Sequence, residues 1–165
     1  MTLTVKASIS GTLTTTGDLS EVTAKLANAL AEISYAQGSA AAQADKVFAD
    51  TRTLAASTTE DLDLAGSLVG IDGAAFAPAK VKAILITADA ANTNDVHVGG
   101  DANGLAGLFG ALPDFLVIKP GGAFMWAAPS GGLTVTAGTG DILQVANSGS
   151  GTGVTYSIVI VGASA

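Results

Sequence analysis

Between Leu3 and Thr14 the chain alternates: Leu3, Val5, Ala7, Ile9 and Leu13 are apolar, while Thr4, Lys6, Ser8, Ser10, Thr12 and Thr14 are polar. A period of two sends successive side chains to opposite faces of an extended backbone, so this stretch predicts a strand with one covered face. Gly11 interrupts the row and admits either one bent strand or a short hairpin, before "TTTGD" at 14–18 ends the extended run.

The period then changes. In "DLSEVTAKLANALAEI", residues 18–33, the apolar Val22, Leu26, Leu30 and Ile33 are separated by four, four and three positions, one stripe of a helix. Asp18 with Glu21 three residues on resembles a capping box, Ser20 competes for the cap, and Gly38 supplies a stop. The alanine-rich "SAAAQADKVFAD", residues 39–50, reads either as a second weak helix or as a linker. A boundary near Asp50 therefore divides an N-terminal arm, 1–49, built of one strand and one helix, from a domain spanning 50–165.

From Thr51 onward short apolar runs are punctuated by turn residues every eight to twelve positions, the habit of a β-sandwich or barrel. The expected strands are 52–55, 60–64, 79–88, 96–99, 115–118, 123–127, 133–137, 142–146 and 155–162. No helices alternate with them, which disfavours a parallel sheet. The fold class expected is mainly β: an antiparallel sandwich or jelly-roll-like domain carrying an N-terminal strand and one helix. In the final strand Val154, Tyr156, Ile158 and Ile160 occupy one face and Val159 and Val161 the other, so it is expected to be central.

Glycine is dense in "AGTGDILQVANSGSGTG", residues 137–153, but the pattern fits turns better than phosphate binding. A dinucleotide fingerprint needs a third glycine and a following helix, whereas Leu143 stands at that place and a strand follows. A Walker loop would need Gly-Lys-Ser or Gly-Lys-Thr, which the sequence lacks. "KPGGA" at 119–123 is likewise turn chemistry between two apolar runs.

Composition narrows the partners. Seven basic against fourteen acidic residues give a net charge of −7, leaving no basic surface for nucleic acid. Only 13% of residues are charged while 48% are hydrophobic, a balance that favours a surface partly covered by copies of the chain or by a partner. Without cysteine there is no disulfide framework and no thiolate metal site. The N-terminus does not read as a signal peptide, and no apolar window is long enough for a membrane helix.

Candidate chemistry is sparse. His97 is the sole histidine; with Asp95 and Asp101 it forms a weak ligand set for a divalent ion, the alternative being polar residues at a strand end. No cofactor is expected. A hydrolase triad would have to use His97, and no serine lies in Gly-x-Ser-x-Gly. A glycosidase would need two carboxylates across a cleft, and sugar-stacking aromatics are few. Glu60, Asp61 and Asp63, with Lys80 and Lys82 flanking the following strand, read as a solvated edge or as inter-subunit ion pairs. Trp126 reads as core before contact.

The ordered series "DTRTLAASTTEDLDLAGSL", "VKAILITA", "VHVGG", "KPGGAFMWAAPSGG" and "VTAGTGDILQVANSGSGTGVTYSIVIVG" resembles small structural proteins of tailed bacteriophages, over residues 50–164. The resemblance implies a non-catalytic virion component, either a capsid decoration (cement) protein or a tail-associated module. It further implies a homo-oligomer, with a trimer foremost, located on the virion and bound to the major capsid protein. In that setting the alternating strand offers Leu3, Val5 and Ile9 for pairing with a partner's sheet edge. The long segment 98–114 offers Leu105, Leu108 and Phe109 for a partner or a host surface. A metal-dependent carbohydrate binder centred on Asp95 and His97 remains a third alternative.

Overall fold

The computed structural model describes residues 2–16, 21–66 and 68–165. Two long strands, β1 (Leu3–Thr16) and β2 (Glu21–Gln37), form an antiparallel hairpin, with the short β3 (Gln43–Ala44) running parallel beside β2. The body follows: β4 (Lys46–Leu54), β5 (Thr59–Asp63), β6 (Leu68–Val69), β7 (Ala75–Phe76), β8 (Lys80–Ala88) and β9 (Val96–Gly99). It continues through β10 (Phe115–Ile118), β11 (Ala123–Ala127), β12 (Leu133–Thr134), β13 (Ile142–Asn147) and β14 (Val154–Ala163).

The expected helix is not there, and no helix occurs among the described residues. Residues 21–33 belong to β2, and the register explains the misleading spacing. From Leu3↔Tyr35 to Ile9↔Ala29 odd positions of β1 meet odd positions of β2; beyond a bulge, from Gly11↔Leu26 to Thr15↔Val22, they meet even ones. One extra residue in β2 thus switches its phase, so apolar positions follow one parity at Val22 and Leu26 and the other at Ile33 and Tyr35. Two phases of a period-two pattern joined by a bulge imitate offsets of four and seven. The stretch 39–50 is likewise extended where it is regular, contributing β3 and the start of β4, and Asp50 lies inside β4.

Two antiparallel sheets make the body. One has the strand order β10-β9-β13-β5; the other has the order β11-β8-β14-β4, with β12 also on β8. Each principal strand in the first half of the body hydrogen-bonds to one in the second half: β4 to β14, β5 to β13, β8 to β11 and β9 to β10. The body is therefore a long antiparallel ribbon, wound so that its successive strand pairs alternate between two facing sheets. The inward rows are those the alternation requires: Leu62, Val96, Val98, Ile118, Leu143 and Val145 from one sheet meet Phe48, Ile84, Ile86, Tyr156, Ile158 and Ile160 from the other. As expected, β14 is central, between β8 and β4. Its outward Val161 is covered too, by the base of the hairpin.

Candidate interaction surface

The hairpin is seated on the body by a second, smaller apolar cluster. Tyr35, Leu3, Val5 and Ile33 pack on Ala83, Val161, Val159 and Ala127, on the outer face of the β11-β8-β14-β4 sheet. The seat is locked by a buried polar node. Tyr35 donates its hydroxyl proton to the Lys82 carbonyl at 3.0 Å, which also accepts from Ala128 N at 2.9 Å.

Lys82 is the extra residue of a β-bulge: Val161 pairs with Ala83 and Gly162 with Val81, leaving Lys82 between them. Only 1% of Lys82 is exposed, and its ammonium lies against the carbonyl oxygens of Pro129 and Gly131 at 3.4 and 3.3 Å. Burial, and secondarily the charge of Lys80, lower its pKa. Pro129 O also accepts from Ala42 N at 2.9 Å, so one loop holds both the lysine and the segment after β2.

Along β1 the covering fades. Leu3, Val5 and Ala7 are half-buried, whereas Ile9 is 67% exposed and Ser10 to Thr12 are exposed as well. The seating of the arm therefore stops after Ala7. Beside β1, whose outer edge is unpaired in the β1-β2-β3 order, runs an open groove of about 280 Å³. Its walls are Leu3 to Lys6, and its floor includes Leu85, Met125 and Val159.

The floor continues as a sheet face without charge. One cross-strand row is Ala49, Val159, Leu85 and Met125; the next is Thr51, Ser157, Thr87 and Ala123; beyond it lie Thr53 and Thr155. Thr51 and Ser157 share a hydrogen bond of 2.9 Å, and Thr53 and Thr155 one of 3.0 Å, so the hydroxyls are largely occupied by one another. Leu85 and Met125 remain 39% and 36% exposed. Sequence reasoning missed this face. The available signal was the run of uncharged residues at outward positions of 81–88 and 154–161, legible only once the strand order is known.

A second patch lies on the outer face of the opposite sheet. Phe115 stacks on His97 with ring centroids 4.8 Å apart, and Phe115, Val117 and Leu112 are exposed. His97 is thus engaged with an aromatic ring. Asp95 pairs with Lys119 at 2.7 Å, and Asp101 accepts from Asn103 N within its own turn. Among the described residues no group of three or more His, Cys, Asp or Glu side chains is placed to hold a metal. In the 98–114 segment Leu105 is buried and Leu108 and Phe109 pack on the core, so the large apolar side chains presented to solvent here are Leu112 and the adjoining Phe115.

The remaining singled-out residues serve the body. Glu60 lies between the sheets, where it pairs with Arg52 and accepts from the Tyr156 hydroxyl at 3.0 Å. Arg52 also pairs with Asp50 at 3.0 Å. Burial first, and then the Glu60 carboxylate, raise the pKa of Tyr156. Asp61 faces outward and accepts from Gln144 Nε2 at 2.8 Å, and Asp63 accepts from Ala65 N at 2.8 Å. Trp126 packs on the core. In the glycine-rich 137–141 turn the Gly138 N–H already donates to the Asp141 carboxylate at 2.7 Å, occupying a donor that a phosphate would require.

No protein-family model and no curated protein sequence matches the chain. Among solved structures it is similar to a chain from "Bacillus endospore appendages form a novel family of disulfide-linked pili", with a TM-score of 0.37 and 11% identity over 73% of this chain and 90% of that one.

Proposed function

We propose that this chain is a structural subunit of a phage particle: a capsid decoration protein that binds the major capsid protein and stiffens the head, working as a homotrimer without catalysis. The observation that carries the reading is the pairing of a broad uncharged sheet face with a hairpin arm that runs past its own seat. A face of Thr, Ser, Ala, Leu, Met and Val suits packing against neighbours, and an unpaired strand edge suits backbone pairing with a partner. The strand pairing supports a jelly roll as the architecture of the body, since a jelly roll is a two-sheet, eight-strand arrangement of this kind. Many weak contacts per particle then add up through multivalency.

The exposed Phe115, Val117 and Leu112 beside His97 favour a second reading, a tail-associated module that meets a host surface through this patch. Quantitative mass spectrometry of purified particles separates the two. A copy number comparable to that of the major capsid protein is expected; a handful of copies per particle would overturn decoration in favour of the tail.

A further inference from the structure

Two apolar features of the molecule match each other. The first is the distal half of the hairpin. Beyond Ala7 the ribbon runs on for the rest of β1, Ile9 to Thr16, which at about 3.4 Å per residue is roughly 27 Å. Two-stranded ribbons are marginal in water on their own, so this length calls for a surface to lie on. Its register supplies an uncharged row: past the bulge Gly11, Leu13 and Thr15 meet Leu26, Ala24 and Val22, while Glu21 and Lys25 fall at the alternate positions, opposite Thr16 and Thr12.

The second feature is the uncharged face with its groove, where Leu85 and Met125 lie exposed beside the free edge of β1. This face already accepts the hairpin's chemistry, because Leu3, Val5, Ile33 and Tyr35 of the same ribbon cover its adjoining row. The exposed part of the face continues that established contact, and its outward rows, Ala49, Val159, Leu85 and Met125 followed by Thr51, Ser157, Thr87 and Ala123, carry no charge that would resist burial.

We propose that the distal hairpin of one copy docks on the exposed face of the β11-β8-β14-β4 sheet of a second copy, over Leu85, Met125 and Val159. Every copy then both donates an arm and receives one. Such a contact is heterologous, and it closes into a ring when the rotation between neighbours permits. The proposal deepens the homo-oligomeric part of the reading above and is independent of whether the ring sits on a capsid.

The test uses the purified chain and native mass spectrometry at micromolar concentration. A donor-deficient variant replaces residues 9–29 with an Asn-Gly turn joining Ser8 to Leu30, which are paired in the hairpin. A receiver-deficient variant is Leu85→Glu, with Met125→Glu as an independent second version. Each variant should melt cooperatively, showing that its body has folded, and each alone should be monomeric while the parent forms a closed oligomer.

An equimolar mixture of donor-deficient and receiver-deficient chains should form a heterodimer, because one intact arm and one intact face remain between them. A monomeric parent would overturn the proposal. Retention of the parent's mass by both receiver variants, or by the trimmed chain, would do the same. A mixture that stays monomeric would also overturn it, pointing to a symmetric contact or to another protein as the occupant. A closed ring of other than three copies would keep arm exchange and remove only the trimer.

Discussion

The Tyr35 hydroxyl reaches 3.0 Å from the Lys82 carbonyl oxygen, tying the hairpin to the centre of the sheet beneath it across 47 residues of sequence. Tyr35 is fully buried, so this bond has no water to compete with it. Tyr35→Phe removes the donor, but the Lys82 carbonyl keeps Ala128 N. The expected cost is therefore about 1 kcal/mol, with faster amide exchange at 32–37 and little change in the body. Exchange that accelerates equally in β13 would show that the arm and body do not open separately.

Lys82 makes the same node sensitive to pH. Its pKa in the folded protein is lowered from the ordinary 10.5, so the unfolded chain binds more protons as pH approaches that value. Stability on this account rises with pH and is fully recovered once both states are deprotonated. Lys82→Met lacks that gain. The parent's Tm should rise relative to that of the variant as pH climbs toward 10.5, and parallel profiles would contradict the burial of the charge.

Tyr156 works in the opposite sense. Its pKa is raised above 10.0 in the folded protein, so its contribution is present below pH 10 and is lost as pH climbs toward the folded value. Tyr35 is raised as well, by burial, and adds to the decline. Tyr156→Phe should cost about 1–2 kcal/mol near neutrality through loss of the bond to Glu60. The gap between parent and variant should then narrow above pH 10, read from denaturant midpoints at a series of pH values.

Asn147 closes one end of the sandwich. Its Nδ2 donates to Ala55 O at 3.0 Å and Thr152 O at 2.8 Å, while its Oδ1 accepts from Asn94 Nδ2 at 3.0 Å and Gly149 N at 3.2 Å. Three loops thus meet on one buried amide. Asn147→Ala strips all four bonds and should destabilise by about 2–4 kcal/mol, measured by urea unfolding. Asn147→Asp keeps the acceptors but loses the donors and should fall between. A loss under about 0.5 kcal/mol for the alanine variant would mean that water takes over these bonds.

The body was legible in the sequence because its strands are short, alternate cleanly and end in strong turn residues. The expected strands 96–99, 115–118 and 123–127 agree with β9, β10 and β11 residue for residue. Around Lys46 the signal fails: β4 begins six residues before the strand expected at 52, since an alanine-rich lead-in carries no period. The arm was misread for the opposite reason, as the bulge between Ile9 and Gly11 gave β2 a false helical period. Candidate surfaces were harder still. Leu105 was offered as a partner contact but is buried in the core, while Leu85, which nothing in the sequence singled out, is exposed. Which side of a strand is covered depends on what lies across it, and that is a property of the whole ribbon.

The ribbon's pairing also sets the order in which the protein can come into being. The central strand β14 lies between β4, at the start of the body, and β8, and it is the latest of the strands in sequence. During synthesis the hairpin emerges before the body, yet its seat on Val161 does not exist until β14 has been made. The nascent chain therefore holds an adhesive arm and an unclosed body side by side, and both the joining of β4 to β8 and the seating of the arm wait on β14. Refolding should accordingly be slow for a domain of this size. In a crowded assembly line, arms would be free to find neighbouring copies before they find their own seat.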